Sequence, residues 1–190
     1  MSEARTRLLN TATRLFYTEG LHAVGIDRIV AEAGVTRATL YRHFPSKDDL
    51  LVAYLTASDA AIKSQVEHAR SKEGSASDAV RAVGETITDG IRSKGFRGCA
   101  FLNAAAEYPA VEHPVHQTVV NHREWFLETV TELLADTGET APAPAARHFV
   151  MLRDGAMVAG CLTPDPDLVC ETFRLGVEGI LKYRETAATD

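Results

Sequence analysis

The chain has 190 residues, 45% of them apolar, and a formal net charge of −6. That composition supports a packed core, excludes a disordered chain, and suits one large domain or two small ones. No apolar run approaches the roughly 20 residues needed to span a bilayer, the first residues lack a signal-peptide pattern, and Cys99, Cys161 and Cys170 offer neither a disulfide framework nor a CxxC, so a reducing, cytoplasmic setting without membrane contact is expected.

The charge is uneven. Residues 1–50 carry seven Lys/Arg (Arg5, Arg7, Arg14, Arg28, Arg37, Arg42, Lys47) and six acids (Glu3, Glu19, Asp27, Glu32, Asp48, Asp49), net +1, and the remainder is net −7. Between Val35 and Lys47 stand three cations, one His and no acid, a basic strip that fits a phosphate footprint inside an acidic protein.

Residues 3–19 predict an amphipathic helix, with Leu8, Leu9, Ala12, Leu15 and Phe16 at helical spacing. Gly20 stands where a left-handed C-cap residue belongs. Gly25 is a tolerable N-cap for a second helix, and Asp27 puts a carboxylate in its first turn, where the dipole favours it. Ile29, Val30 and Ala33 face inward, and Gly34 supplies the positive φ of a sharp turn. Thr36 caps a third helix, Arg37 to Phe44, whose Leu40 and Phe44 pack inward. Arg37, Thr39, Tyr41 and Arg42 cannot all follow them, so several face out. Pro45 ends this helix, and Ser46 with Asp49 approximates a capping box for a fourth helix running to about Arg70. Lys47 sits at that helix start against the dipole rule. Two short helices around a tight turn form a helix-turn-helix, a DNA-reading device.

Residues 71–77, SKEGSAS, read as a polar loop. A fifth helix is expected over about Ala79 to Ser93, then a turn at Gly95 to Gly98 and a short apolar segment, CAFLNAAAEYP. A long helix follows from about Val115 to Ala135. Residues 136–145 read as a Pro/Ala/Gly linker. Two final helices, about Ala146 to Cys161 and Asp165 to Arg184, are apolar over more than one face. Gly155, Ala156, Ala159, Gly160, Gly176 and Gly179 lie among their apolar residues and allow close approach. Such excess apolar surface fits burial against a second copy. No strand pattern, internal repeat, GxSxG, Walker A or GxGxxG appears, so an enzyme is not expected.

Residues 5–55 resemble the DNA-binding domain of the TetR/AcrR family of bacterial transcriptional regulators. The resemblance runs through AEAGVTRATLYRHFPSKDDLL, with Gly34, Thr36, Leu40, Tyr41, His43, Phe44, Lys47 and Leu50 at the family's positions. Ala38 departs from a frequent Gly, and Gly25 from a frequent Thr or Ser that caps the second helix and touches a phosphate. The resemblance implies an all-α protein of about nine helices. A three-helix DNA-binding domain (residues 1–48) would precede a helical ligand-binding and dimerisation domain (residues 49–190), with a homodimer built on the last two helices. It also implies that a small ligand shifts the spacing of the two DNA-reading heads. The GCAFLNAAAEYP stretch looks like a segment of one subset of the family.

The expected partner is double-stranded operator DNA. Arg37 has the fork geometry for guanine O6 and N7, and Thr39 can bond a base or touch a thymine methyl. Thr36, Tyr41, His43 and Lys47 resemble the family's backbone-contacting positions, and Arg42 completes the basic strip. A symmetric dimer implies a pseudo-palindromic operator with heads one helical turn apart, or a multiple of it. A small molecule that binds the mismatched conformer better releases the DNA.

Phe96, Phe101, Asn103, Tyr108, Trp125, Phe126, Phe149 and Met157 are the candidate ligand lining, suited to an apolar or aromatic inducer. Each is also ordinary core material. Cys99 follows a glycine at a predicted helix start beside Arg97, which makes it the candidate redox- or electrophile-sensing thiol. No cofactor or metal is expected: His113, His116 and His122 straddle a helix start and have no cysteine near in sequence. Repression is the leading reading, with activation through the same head as its rival.

Overall fold

The computed structural model describes residues 2–71 and 74–187. Lys72 and Glu73, part of the polar loop read from the sequence, lie outside the described residues. Among those described there are nine helices and no strand: α1 (Glu3–Glu19), α2 (Ile26–Ala33), α3 (Arg37–His43), α4 (Lys47–Arg70), α5 (Ala76–Arg92), α6 (Ala100–Glu107), α7 (Pro114–Asp136), α8 (Pro142–Leu162) and α9 (Pro166–Ala187). The all-α expectation holds.

Local chemistry explains most boundaries. Ser2 caps α1, its side chain accepting from the Arg5 N–H. Gly20 ends that helix at φ 101°, and Gly34 ends α2 in the left-handed region at φ 63°. A side chain other than glycine is strained at either place. The Thr36 hydroxyl accepts from the Thr39 N–H at 3.1 Å, and the Ser46 hydroxyl accepts from the Asp49 N–H at 3.0 Å.

Two starts differ from the sequence reading. Helix α5 begins at Ala76 rather than near Ala79, because Ser75 and Asp78 form a complete capping box. Helix α8 begins at Pro142, inside the stretch read as linker. Pro142 and Pro144 fall in its first turn, where the missing N–H has no helical partner to lose.

The chain divides into two compact units, one of Met1–Ala61 with Ala100–His122, the other of Ile62–Cys99 with Arg123–Asp190. Two of the three borders fall within long helices, α4 and α7, and the third just before α6. In the first unit α1, α2 and α3 pack pairwise around Leu8, Ala12, Leu15, Phe16, Ile29, Val30, Ala33 and Leu40. The same unit buries Leu50, Leu51, Tyr54 and Leu55 of α4, Phe101 and Ala104 of α6, and Val115 and Val119 of α7.

In the second unit α9 lies along both α5 and α8. Its core joins Val80, Val83 and Ile87 to Phe126, Val130, Phe149, Phe173 and Val177. Phe149 meets Phe173 edge-on at 5.8 Å between ring centres and Phe126 at 6.4 Å. A Cβ at Gly176 would stand 2.4 Å from Leu152 Cδ2, so that side chain would have to shift. Gly155 and Gly179, by contrast, face open space.

Candidate nucleic-acid interface

Helix α3 has seven residues and spends one of them, Leu40, on the core, with Phe44 buried just beyond its end. Everything else on it is therefore available. Arg37, Ala38, Tyr41 and Arg42 are exposed, and Thr39 and His43 are half-buried. Tyr41 keeps 45% of its surface in solvent, too much for a core tyrosine. The turn at Gly34 and the Thr36 cap set the start of this helix.

The residues expected at the interface divide by their partners. Arg37 Nε donates to Asp27 Oδ1 at 2.6 Å, and its Nη2 donates to Asp27 Oδ2. The Thr36 and Thr39 hydroxyls are 3.0 Å apart and bonded to each other. His43 Nε2 lies 3.2 Å from the Ser2 hydroxyl, which ties the start of α1 to the end of α3. Lys47 reaches the His22 carbonyl at 3.5 Å and sits 6.0 Å from the Phe16 ring centre. Burial pulls its ammonium below the usual lysine value, with Glu107 and Asp48 working the other way. Lys47 is thus packed as well as charged. Arg42 has no ion pair among the described residues.

Around this stripe the head is wired by charge. Glu32 accepts from both Arg28 and Arg14, and Arg28 also reaches Glu19 at 3.3 Å. The Arg28 and Arg14 hydrogen bonds hold the Glu32 carboxyl below the ordinary range.

Behind the stripe, in the same unit, the end of α6 grips the α1–α2 turn. The Glu107 carboxylate accepts from the Leu21 N–H at 2.8 Å and the His22 N–H at 2.6 Å. Tyr108 stacks on His22 with ring centres 4.5 Å apart. The sequence gives no sign of this role for Glu107. Its partners lie more than eighty residues away, and no local pattern marks them.

The histidine trio is dispersed among separate partners. His113 Nε2 lies 3.3 Å from Asp48 Oδ2, His116 Nδ1 is 2.9 Å from the Tyr108 carbonyl, and His122 Nδ1 is 2.7 Å from Asp59 Oδ1 with Phe101 stacked on its ring.

The candidate ligand lining falls into two groups. Phe101, Asn103 and Tyr108 belong to the first unit, and Phe96, Trp125, Phe126, Phe149 and Met157 to the second. Asn103 is exposed, Phe101 is fully buried, and Phe126 and Phe149 belong to the packed aromatic core. Cys99 is buried, and Arg153 Nη2 donates to its sulfur at 3.2 Å. Arg153 is itself buried, pairs with Asp154 at 2.8 Å, and has its Nε–H without a partner among the described residues. The sequence signal for it was an arginine inside the apolar run HFVMLRDGAMVAG.

The exposed apolar surface concentrates at the end of the chain. Met151, Val158 and Leu162 of α8 and Leu168 and Leu175 of α9 are 53% to 81% exposed. Met151 and Leu168 flank an apolar groove of about 430 Å³ between the two helices, floored by Gly155, Ala156 and Ala159.

Residues 8–54 match the family model of bacterial regulatory proteins, tetR family. The fold is similar to the crystal structure of SCO4454, a TetR-family transcriptional regulator from Streptomyces coelicolor, at 64% identity and TM-score 0.94, with 97% of each chain covered. The HTH-type transcriptional regulator Rv1556 of Mycobacterium tuberculosis is 22% identical over 99% of this chain and 91% of that protein. The HTH-type transcriptional activator FasR of Mycolicibacterium smegmatis is 36% identical over 97 residues, half of this chain and 44% of FasR. No described helix is long and apolar enough to cross a membrane.

Proposed function

The chain belongs to the tetR family of bacterial regulatory proteins and is a transcriptional regulator with a helix-turn-helix DNA-binding domain, and from that premise we propose that it is a ligand-responsive repressor. Two copies hold a palindromic operator and leave it when a small molecule binds. Residues 1–48 are the reading head; residues 49–190 bind the ligand and pair the copies, in a reducing cytoplasm.

The observation that carries the reading is the α3 stripe. One buried leucine anchors a helix that turns Arg37, Tyr41 and Arg42 to solvent. Arg37 and Thr39 are assigned to base edges; Thr36, Tyr41, Arg42, His43 and Lys47 are assigned to phosphates. Pairing through α8 and α9 is supported by their exposed apolar side chains, which cost solvation in a lone chain. The inducer is assigned as apolar or aromatic, after the aromatic side chains of the candidate lining. FasR carries the name of an activator, so the sign of regulation is part of the test.

Fluorescence anisotropy on DNA from upstream of the gene, against shuffled DNA and across a salt series, tests binding. Selective binding with a steep salt slope and two chains per site supports the reading. Compounds that dissolve the complex identify the inducer class, and a reporter gene under the bound fragment gives the sign.

The Arg153–Cys99 contact favours a second reading, in which an oxidant or electrophile at Cys99 releases the DNA. The contact holds the sulfur beside a buried guanidinium, with Arg153 Nη2 at 3.2 Å. Cys99→Ser protein that still releases DNA on treatment with oxidant excludes this version.

A further inference from the structure

Asp27 is an anion on the face assigned to DNA. Its side chain is 72% exposed, and that of Arg37 is 61% exposed. The two residues stand ten apart, on either side of the turn at Gly34, and meet through two hydrogen bonds of 2.6 and 2.5 Å. A carboxylate beside a polyanion opposes binding. A pair this exposed adds little to stability. Neither consideration accounts for a two-point contact between these side chains.

The geometry of the contact does. A guanidinium has five N–H donors in one plane. Asp27 takes Nε–H and one hydrogen of Nη2, the side edge of the fork. Both hydrogens of Nη1 and the second of Nη2 remain. These form the end edge, which makes two parallel bonds to guanine O6 and N7. A bidentate grip on the side edge fixes the guanidinium plane and leaves the reading edge open. The carboxylate is held too, since Asp27 lies in the first turn of α2, where the helix dipole favours it. It has no rival cation among the described residues, because Arg14 and Arg28 are engaged by Glu32 and Glu19.

We propose that Asp27 is a specificity-determining positioning residue, which orients Arg37 so that its Nη1/Nη2 edge reads one guanine in each half-site. This rests on the assignment of Arg37 to a base edge. Asp27 then trades general affinity for selectivity: its charge repels phosphate at every sequence, while its grip rewards the correct base.

The test uses the full chain and a site enriched from a random double-stranded DNA pool. Affinity is measured by anisotropy on that site and on versions with each G·C pair replaced by A·T. The proteins are wild type, Asp27→Ala, Asp27→Asn, Arg37→Ala and the Asp27→Ala/Arg37→Ala double variant. Unfolding temperatures check that each is folded, and the exposed pair predicts little change.

Expected is a loss of about tenfold in discrimination at one and the same base pair in Arg37→Ala and Asp27→Ala, with no further loss in the double variant. Asp27→Asn, which keeps one oxygen acceptor, falls between. Affinity for unrelated DNA stays level or rises in Asp27→Ala. If Asp27→Ala keeps full discrimination and binds all DNA more tightly, Asp27 only competes for Arg37, and the proposal is overturned. If Arg37→Ala discriminates like wild type at every G·C pair, the assignment of Arg37 fails and the proposal with it. A pool that enriches no site overturns both.

Discussion

The α3 stripe and the outer face of α8 and α9 are both left uncovered by the folded chain, and they are made of opposite materials. Around α3 the exposed groups are charged or hydroxylic, and most are already paired: Arg37 with Asp27, Arg28 and Arg14 with Glu32, Thr36 with Thr39. On α8 and α9 the exposed groups include the large apolar side chains Met151, Val158, Leu162, Leu168 and Leu175, which find no partner in water. The first surface is stable while waiting and can exchange partners one bond at a time, which suits a ligand that must be gripped and released. The second gains from being covered permanently, which suits a second copy. Under the proposed function, surface chemistry thus distinguishes the reversible interface from the standing one.

The largest effect should come from charging the apolar surface. Met151→Glu with Leu175→Glu removes two side chains whose burial is worth about 1.5–3 kcal/mol each. The proposed dimer should weaken by at least about a hundredfold, read by sedimentation equilibrium. A double variant that dimerises like wild type would place the pairing surface elsewhere.

Glu107→Gln probes the polar region from behind. It removes the charge from two hydrogen bonds to backbone N–H groups, worth about 1.5–3 kcal/mol for a charged acceptor. The amides of Leu21 and His22 should exchange hydrogen faster while those of α8 are unchanged. Equal exchange in both proteins would remove Glu107 from the support of the α1–α2 turn.

Arg37→Ala acts on the stripe itself and should cost about 1–3 kcal/mol of discrimination at one base pair. Unfolding should scarcely move. A loss spread evenly over all sequences would instead make Arg37 a phosphate contact.

The smallest effect is a pH dependence. Hydrogen bonds from Arg174 hold the Glu85 carboxyl below the ordinary range against partial burial, and Arg81 does the same for Glu178. A carboxyl lowered by folding stabilises fully above its unfolded value, about 4.3, and the contribution is lost as pH falls through the lowered folded values. These pairs are partly exposed, so each is worth about 0–1 kcal/mol. The acid limb of a melting-temperature profile should be shallower in Arg81→Gln/Arg174→Gln. Identical limbs in both proteins would contradict the assignment.

The head was legible because its information is local. Gly34, Thr36 and Ser46 mark turns and caps within four residues of their partners, and Leu40 against Arg37, Tyr41 and Arg42 sorts inside from outside. The sequence reading failed where a residue has two meanings. Pro142 and Pro144 read as linker and serve as a helix start, and residues 76 and 77 read as loop because the reach of the Ser75–Asp78 box was not recognised. The ligand lining could not be sorted from core by aromatic content: Phe149 and Phe126 pack against each other in the buried core. Contacts such as Arg153 to Cys99 and Glu107 to Leu21 join residues far apart in the chain, and only the fold brings them together.

Selection of binding sites from a random double-stranded DNA pool by the full-length protein, followed by native mass measurement of the enriched complex, tests the central claim most directly. The account predicts an inverted repeat, with half-sites about one helical turn or a multiple apart, held by two chains. An unenriched pool, or an asymmetric site held by one chain, would contradict it.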